Sequence, residues 1–159
     1  MWSSSVQLGT ELSIAGISAK ELAKEFGTPT FFIDEADFRA RALAWNDALK
    51  EAFGDKAGTV YYASKAFSCT EVARWIKDLG IGIDVSTGGE MAVALAGGID
   101  PKKIEVHGNN KSVAEIEKAI SVGVETIVID SMYEIERVAA AAAKAGKVQR
   151  VLLRLTPGI

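Results

Sequence analysis

Cysteine is all but missing from this sequence. Cys69 is the only one in 159 residues, so no intrachain disulfide can form and nothing calls for an oxidising compartment; a cytoplasmic location is the default expectation. Histidine is as scarce, with His107 alone, and no metal site is expected. No apolar run approaches the roughly 20 residues that cross a bilayer, which argues against a membrane partner. The start, Met-Trp-Ser-Ser-Ser-Val-Gln-Leu, lacks the basic stretch and apolar core of a signal peptide. Basic clusters are absent too, and a net charge of -3 argues against a nucleic-acid surface.

What remains is a composition that can build a core, 48% hydrophobic and 25% charged, and that leaves small neutral or zwitterionic ligands open. Residues 1–17 are small and polar with scattered Leu and Ile, and read as a tail lying over the surface. Ser18 and Glu21 are spaced as a capping box, opening a short helix that Gly27 and Pro29 stop. Thr30, Phe31, Phe32 and Ile33 read as a buried strand running into Asp34. Phe38, Ala42, Trp45, Leu49 and Phe53 then fall on one face of a long amphipathic helix that ends at Gly54.

A repeat follows. Apolar runs centred on Val60, Ile83, Val106, Val128 and Leu152 recur about every 22 to 24 residues, and a helical segment follows each of the first four. Ser68 with Glu71, Ser112 with Glu115 and Ser131 with Glu134 have the capping-box spacing, while Gly80, Gly97, Gly123 and Gly146 sit at the far ends. Strict alternation of strand and helix predicts parallel strands with right-handed crossovers. Two architectures remain, a doubly wound sheet or a (β/α) barrel.

The strand ends favour the barrel, because each delivers polar groups at the same end: Lys65, then Asp84 and Ser86, His107 and Asn109, Asp130 and Ser131, and last Arg154 and Thr156. In a barrel these ends converge on one pocket, whereas an open sheet places its ligand at one switch point. No Gly-x-Gly-x-x-Gly follows the first strand, and Thr87-Gly88-Gly89-Glu90 is too short to replace it. An eight-unit barrel needs roughly 200 to 250 residues, so five strands are expected to be the first part of a longer polypeptide. The rival is a short half-barrel that pairs with its own copy.

Lys65 is the candidate for chemistry. An enclosed lysine loses part of its charge and can attack a carbonyl to form an imine; the competing reading is a surface lysine with its stem on Phe67. Asp84 is either a tuning charge or a cap for the next helix, and Arg154 either a pocket cation or the partner of Asp130. His107 is either catalytic or the order-giver of its loop. Glu90 reads first as a helix start, and Cys69 as a small buried filler.

Tyr62-Ala63-Ser64-Lys65-Ala66-Phe67 resembles the lysine motif of the alanine racemase-like, fold type III, pyridoxal-phosphate decarboxylases. Asp84-Val85-Ser86-Thr87-Gly88-Gly89-Glu90, His107-Gly108-Asn109-Asn110-Lys111-Ser112 and Val128-Ile129-Asp130-Ser131 are similar to the branch acting on meso-2,6-diaminopimelate. The resemblance implies a (β/α)8 TIM-type barrel of which the first five strands are present, with pyridoxal 5'-phosphate held on Lys65 and Asp84, Arg154 and His107 around it. It implies decarboxylation of meso-2,6-diaminopimelate, a small amino-acid substrate, to L-lysine and CO2 as the last step of lysine biosynthesis, in a homodimer when full length. Residues 1–33 would be a lead-in whose strand belongs to a β-domain, residues 34–159 the first part of the barrel, and this piece alone inactive. Alternatives of the same resemblance are an arginine or ornithine decarboxylase and a non-catalytic barrel that binds the cofactor.

Overall fold

A computed structural model describes residues 6–158 of the chain. They fall into two compact units, Met1–Lys56 and Ala57–Ile159, whereas residue pattern suggests a boundary between 33 and 34.

The first unit opens with three strands, β1 (Val6–Leu8), β2 (Leu12–Ile14) and β3 (Ile17–Ser18), in an antiparallel meander. The surface tail expected over residues 1–17 is thus a small sheet from Val6 onward, and residues 1–5 lie outside the described part. Ile14 pairs with Ile17 across Ala15 and Gly16, both at positive φ (51° and 79°). Two such residues match the twist of a tight hairpin, a signal hidden because Ala rarely takes that conformation. Helix α1 (Ala19–Phe26) starts at Ser18, whose hydroxyl accepts from Lys20 N, one residue earlier than the expected capping box. It stops at Gly27.

The strand expected over Thr30–Ile33 is not formed: these residues are irregular and Phe31 is 98% exposed. Phe32 instead meets Phe26 edge to face, centroids 5.9 Å apart, so aromatic packing replaces a ladder. Helix α2 (Glu35–Phe53) follows, capped by Asp34 Oδ1, which accepts from Ala36 N and Asp37 N at 2.8 and 3.3 Å. Phe38, Ala42 and Leu49 are half-buried on its apolar face, while Trp45 and Phe53 remain exposed.

The second unit carries the repeat. Strands β4 (Tyr61–Ala63), β5 (Gly82–Val85), β6 (Ile104–Val106), β7 (Thr126–Ile129) and β8 (Val151–Leu153) form one parallel sheet in sequence order. Between them run α3 (Thr70–Leu79), α4 (Gly88–Ala96), α5 (Val113–Val122) and α6 (Met132–Ala145). The order never reverses, so there is no switch point of the doubly wound kind; the chain forms an α/β partial barrel, as expected.

Alternation along the strands separates two faces. Ile83, Val85, Ile104, Val106 and Ile127 are buried on one, together with Val72, Ile76, Ile116, Ile120 and Val138 of the helices; fully burying an aliphatic side chain contributes about 1.5–3 kcal/mol. The opposite face carries Asp84, Glu105 and Val128, followed by His107 and Arg154 past the strand ends. Two glycines permit close approach. A Cβ at Gly82 would meet the Tyr61 ring at 2.5 Å, and one at Gly97 would overlap the Ala73 side chain of α3.

The helix starts depart in part from expectation. Ser112 and Glu115 form the full capping box. The start of α3 is Cys69 rather than Ser68, and its thiol, a weak acceptor, makes no side-chain cap; Glu71 instead accepts from Arg74 (2.7 Å) and Trp75 (3.2 Å). Ser131 precedes α6 without a side-chain cap bond, and Glu134 turns inward. Gly80, Gly97, Gly123 and Gly146 do end their helices.

Candidate active site

Four strands deliver the four candidate residues to one place. Lys65 sits in the single 3-10 turn Ser64–Ala66 that follows β4, Asp84 lies within β5, His107 follows β6 and Arg154 follows β8. All four line one open pocket of about 490 Å³ with Glu105, Val128, Leu152, Leu153 and Leu155. That volume suits a small ligand. A smaller groove of about 250 Å³ lies between α6 and the outer side of β7 and β8. Its lining is apolar but for Gln149 and holds no group able to do chemistry.

Lys65 is exposed in this chain rather than enclosed, a correction to its reading as a buried amine. The pocket is open above it, so water reaches the amine. Among the described residues Lys65 makes no hydrogen bond or ion pair, which leaves it available to a ligand. Beside it Ser64 is 2% exposed, and its Oγ has no hydrogen-bond partner.

Asp84 is not a helix cap, since Thr87 Oγ1 accepts from Glu90 N at 3.1 Å to start α4. Its Oδ1 is buried without a hydrogen bond and stands 3.7 Å from His107 Nε2, too far for one. Burial holds the carboxyl above its ordinary range; the charges of His107 and Lys65 pull it back, and those of Glu105 and Glu90 push it up. His107 Nε2 lies 2.7 Å from Glu105 Oε1. A carboxylate only accepts, so Nε2 carries the proton in that contact.

Glu105 escaped the sequence analysis. It sits two residues before His107 on the same strand face and opposite Asp84 in the register, so the period-two pattern could have revealed it. Arg154 Nη1 donates to Asp130 Oδ1 at 3.0 Å, the pairing that one of its readings expects, and the residue also lines the pocket. Glu90 is a structural group, its Oε2 accepting from Ser86 N.

The loop after β6 is held closely. Gly108 has φ +101°, and a Cβ there would stand 2.7 Å from Ser86 O, so only glycine fits. Glu115 links two loops: Oε1 accepts from Gly88 N at 2.7 Å, and Oε2 from Ser112 N and Oγ at 2.9 and 2.8 Å. These bonds, those of the Ser112 and Gly88 amides first, hold its carboxyl below the usual range.

Chemically, the pocket offers a primary amine, an imidazole tied to a carboxylate, a guanidinium and a half-buried carboxylate with one lone oxygen. Such a set can take a small ligand bearing both an electrophilic carbonyl and anionic oxygens.

Known proteins resemble this chain in sequence and fold. The chain is 55% identical over 146 residues to diaminopimelate decarboxylase of Mycobacterium tuberculosis, covering 92% of itself and 32% of that protein. It thus spans about a third of the length of the curated relatives it matches. It superposes on the crystal structure of diaminopimelate decarboxylase from M. jannaschii with a TM-score of 0.87 at 27% identity, over 99% of this chain and 37% of the other. Lysine/ornithine decarboxylase from Vibrio vulnificus, complexed with putrescine, is more distant, with a TM-score of 0.69 at 25% identity over 86% of this chain and 35% of the other. The profile of the pyridoxal-dependent decarboxylase, pyridoxal binding domain, matches residues 35–159, and the chain therefore belongs to the family of pyridoxal-dependent decarboxylases.

Proposed function

We propose that this chain supplies the lysine-bearing part of a pyridoxal 5'-phosphate-dependent carboxy-lyase that converts meso-2,6-diaminopimelate to L-lysine and CO2. One observation carries the reading: Lys65, Asp84, His107 and Arg154, from four separate strand ends, line a single pocket. The substrate class follows the closer likeness, 55% identity to a diaminopimelate decarboxylase against 25% to a lysine/ornithine decarboxylase.

The residues fit the cofactor on their own chemistry. Lys65 is an unpaired amine that lines the pocket, Arg154 and His107 are donors suited to anionic oxygens, and the lone Oδ1 of Asp84 lacks a donor that a bound group or a turned Lys65 would provide. When bound, pyridoxal phosphate supplies the electron sink that accepts the pair left by departing CO2. Lys65 holds the cofactor through Nζ and, once released, can hold a proton at that atom beside the reacting carbon. The Lys65 charge favours the ionised form of Asp84, and Glu105 orients the His107 ring through Nε2. Residues 34–159 act as the first part of the cofactor-binding barrel and residues 1–33 as its lead-in. The working assembly is a cytoplasmic homodimer, and the segment alone has negligible activity.

Borohydride reduction with pyridoxal phosphate should attach one cofactor to the protein, mapped by peptide mass to Lys65; the Lys65→Ala variant should show no adduct, and in the full-length enzyme the same change should abolish lysine formation. A reduced adduct on any other lysine, or robust lysine formation by Lys65→Ala, overturns the assignment.

A further inference from the structure

An ion pair sits in the interior behind the pocket. The Lys111 and Glu134 side chains are 2% and 4% exposed, with Nζ 3.1 Å from Oε1. Lys111 Nζ also donates to Gly108 O at 2.6 Å and Val128 O at 2.7 Å, so two of its N–H groups hold carbonyls, while Glu134 Oε1 faces the ammonium as a counter-charge without a hydrogen bond of its own. Glu134 Oε2 accepts from Asp130 N at 2.8 Å. Burial of two charges is costly enough that apolar residues of similar volume often stabilise a protein as well or better. Stability is therefore a poor reason for this pair.

What the pair holds is main chain, at three points that each adjoin the pocket. Gly108 directly follows His107, Val128 itself lines the pocket, and Asp130 accepts from Arg154. We propose that Lys111 and Glu134 are positioning residues, whose ion pair fixes the chain after β6 and β7 so that His107 and Arg154 stand where they meet a ligand held at Lys65. The inference rests on the function proposed above. Lys111 reaches His107 only through the Gly108 carbonyl, and Glu134 reaches Arg154 only through Asp130, so neither touches the ligand. Gly108 leaves the link no room for a side chain, since a Cβ there would stand 2.7 Å from Ser86 O.

The test reads the imidazole proton resonances of His107, identified by their loss in the His107→Gln variant. Glu134→Gln keeps the shape and an acceptor for Asp130 N while removing the charge. The paired replacement Lys111→Met with Glu134→Leu removes both charges and leaves no lone buried ion. Both should move the His107 resonances at fixed pH in the cofactor-free protein, and weaken pyridoxal phosphate binding, read by absorbance titration, by about tenfold or more, the scale on which outer partners of a binding site act. Lys144→Met, which breaks the exposed pair with Glu117, should do neither.

Variants that melt lower yet keep the His107 resonances and the cofactor affinity overturn the proposal and leave the pair a stability element. Failure of both variants to fold overturns it too, since the fold itself would then need the pair. Should the parent protein take up no pyridoxal phosphate while the resonances still move, the positioning stands and the proposed function falls.

Discussion

Asp84 is the residue on which pocket chemistry and stability oppose each other. Its carboxyl is held above the usual range, chiefly by burial. A raised folded value means that the group favours the fold only below its unfolded value, and that this contribution is lost as pH rises through the folded value. At neutral pH the ionised Asp84 is therefore a net cost, which the charges of Lys65 and His107 offset in part. Asp84→Asn should raise the melting temperature at neutral pH, the gain shrinking as acid protonates the parent carboxyl, while weakening cofactor capture at Lys65. Equal melting temperatures of parent and variant across that pH range would show that desolvation of Asp84 does not matter to the fold.

At the level of elements, Glu115 joins two βα turns, since one carboxylate serves the start of α5 and the Gly88 amide of α4. Its value is lowered, so its contribution is present above the unfolded carboxylate value and disappears as pH falls through the folded one. Glu115→Gln should lower the melting temperature at neutral pH and converge with the parent in acid; parallel melting curves against pH would refute this. The elements were largely legible beforehand. Apolar runs and terminal glycines placed β4 to β8 and their helices, because those signals are local. The strand ends that carry Lys65, Asp84, His107 and Arg154 were legible for the same reason. Lys111 was read only as part of a motif, since its burial depends on Glu134 in the next βα unit and on two carbonyls that sequence does not place. The supposed strand at Thr30–Ile33 was misread because an apolar run shows propensity but not a ladder partner.

Across the second unit, every strand of the described sheet lies beside its neighbours in sequence. The unbroken order of β4 to β8 also bears on synthesis. Chains fold from the N-terminus as they leave the ribosome, and here each emerging strand finds its one partner already in place as the newest edge of the sheet. Growth therefore needs no earlier strand to be reopened, and at every stage of translation the nascent protein presents a single fresh edge for the next unit to cover.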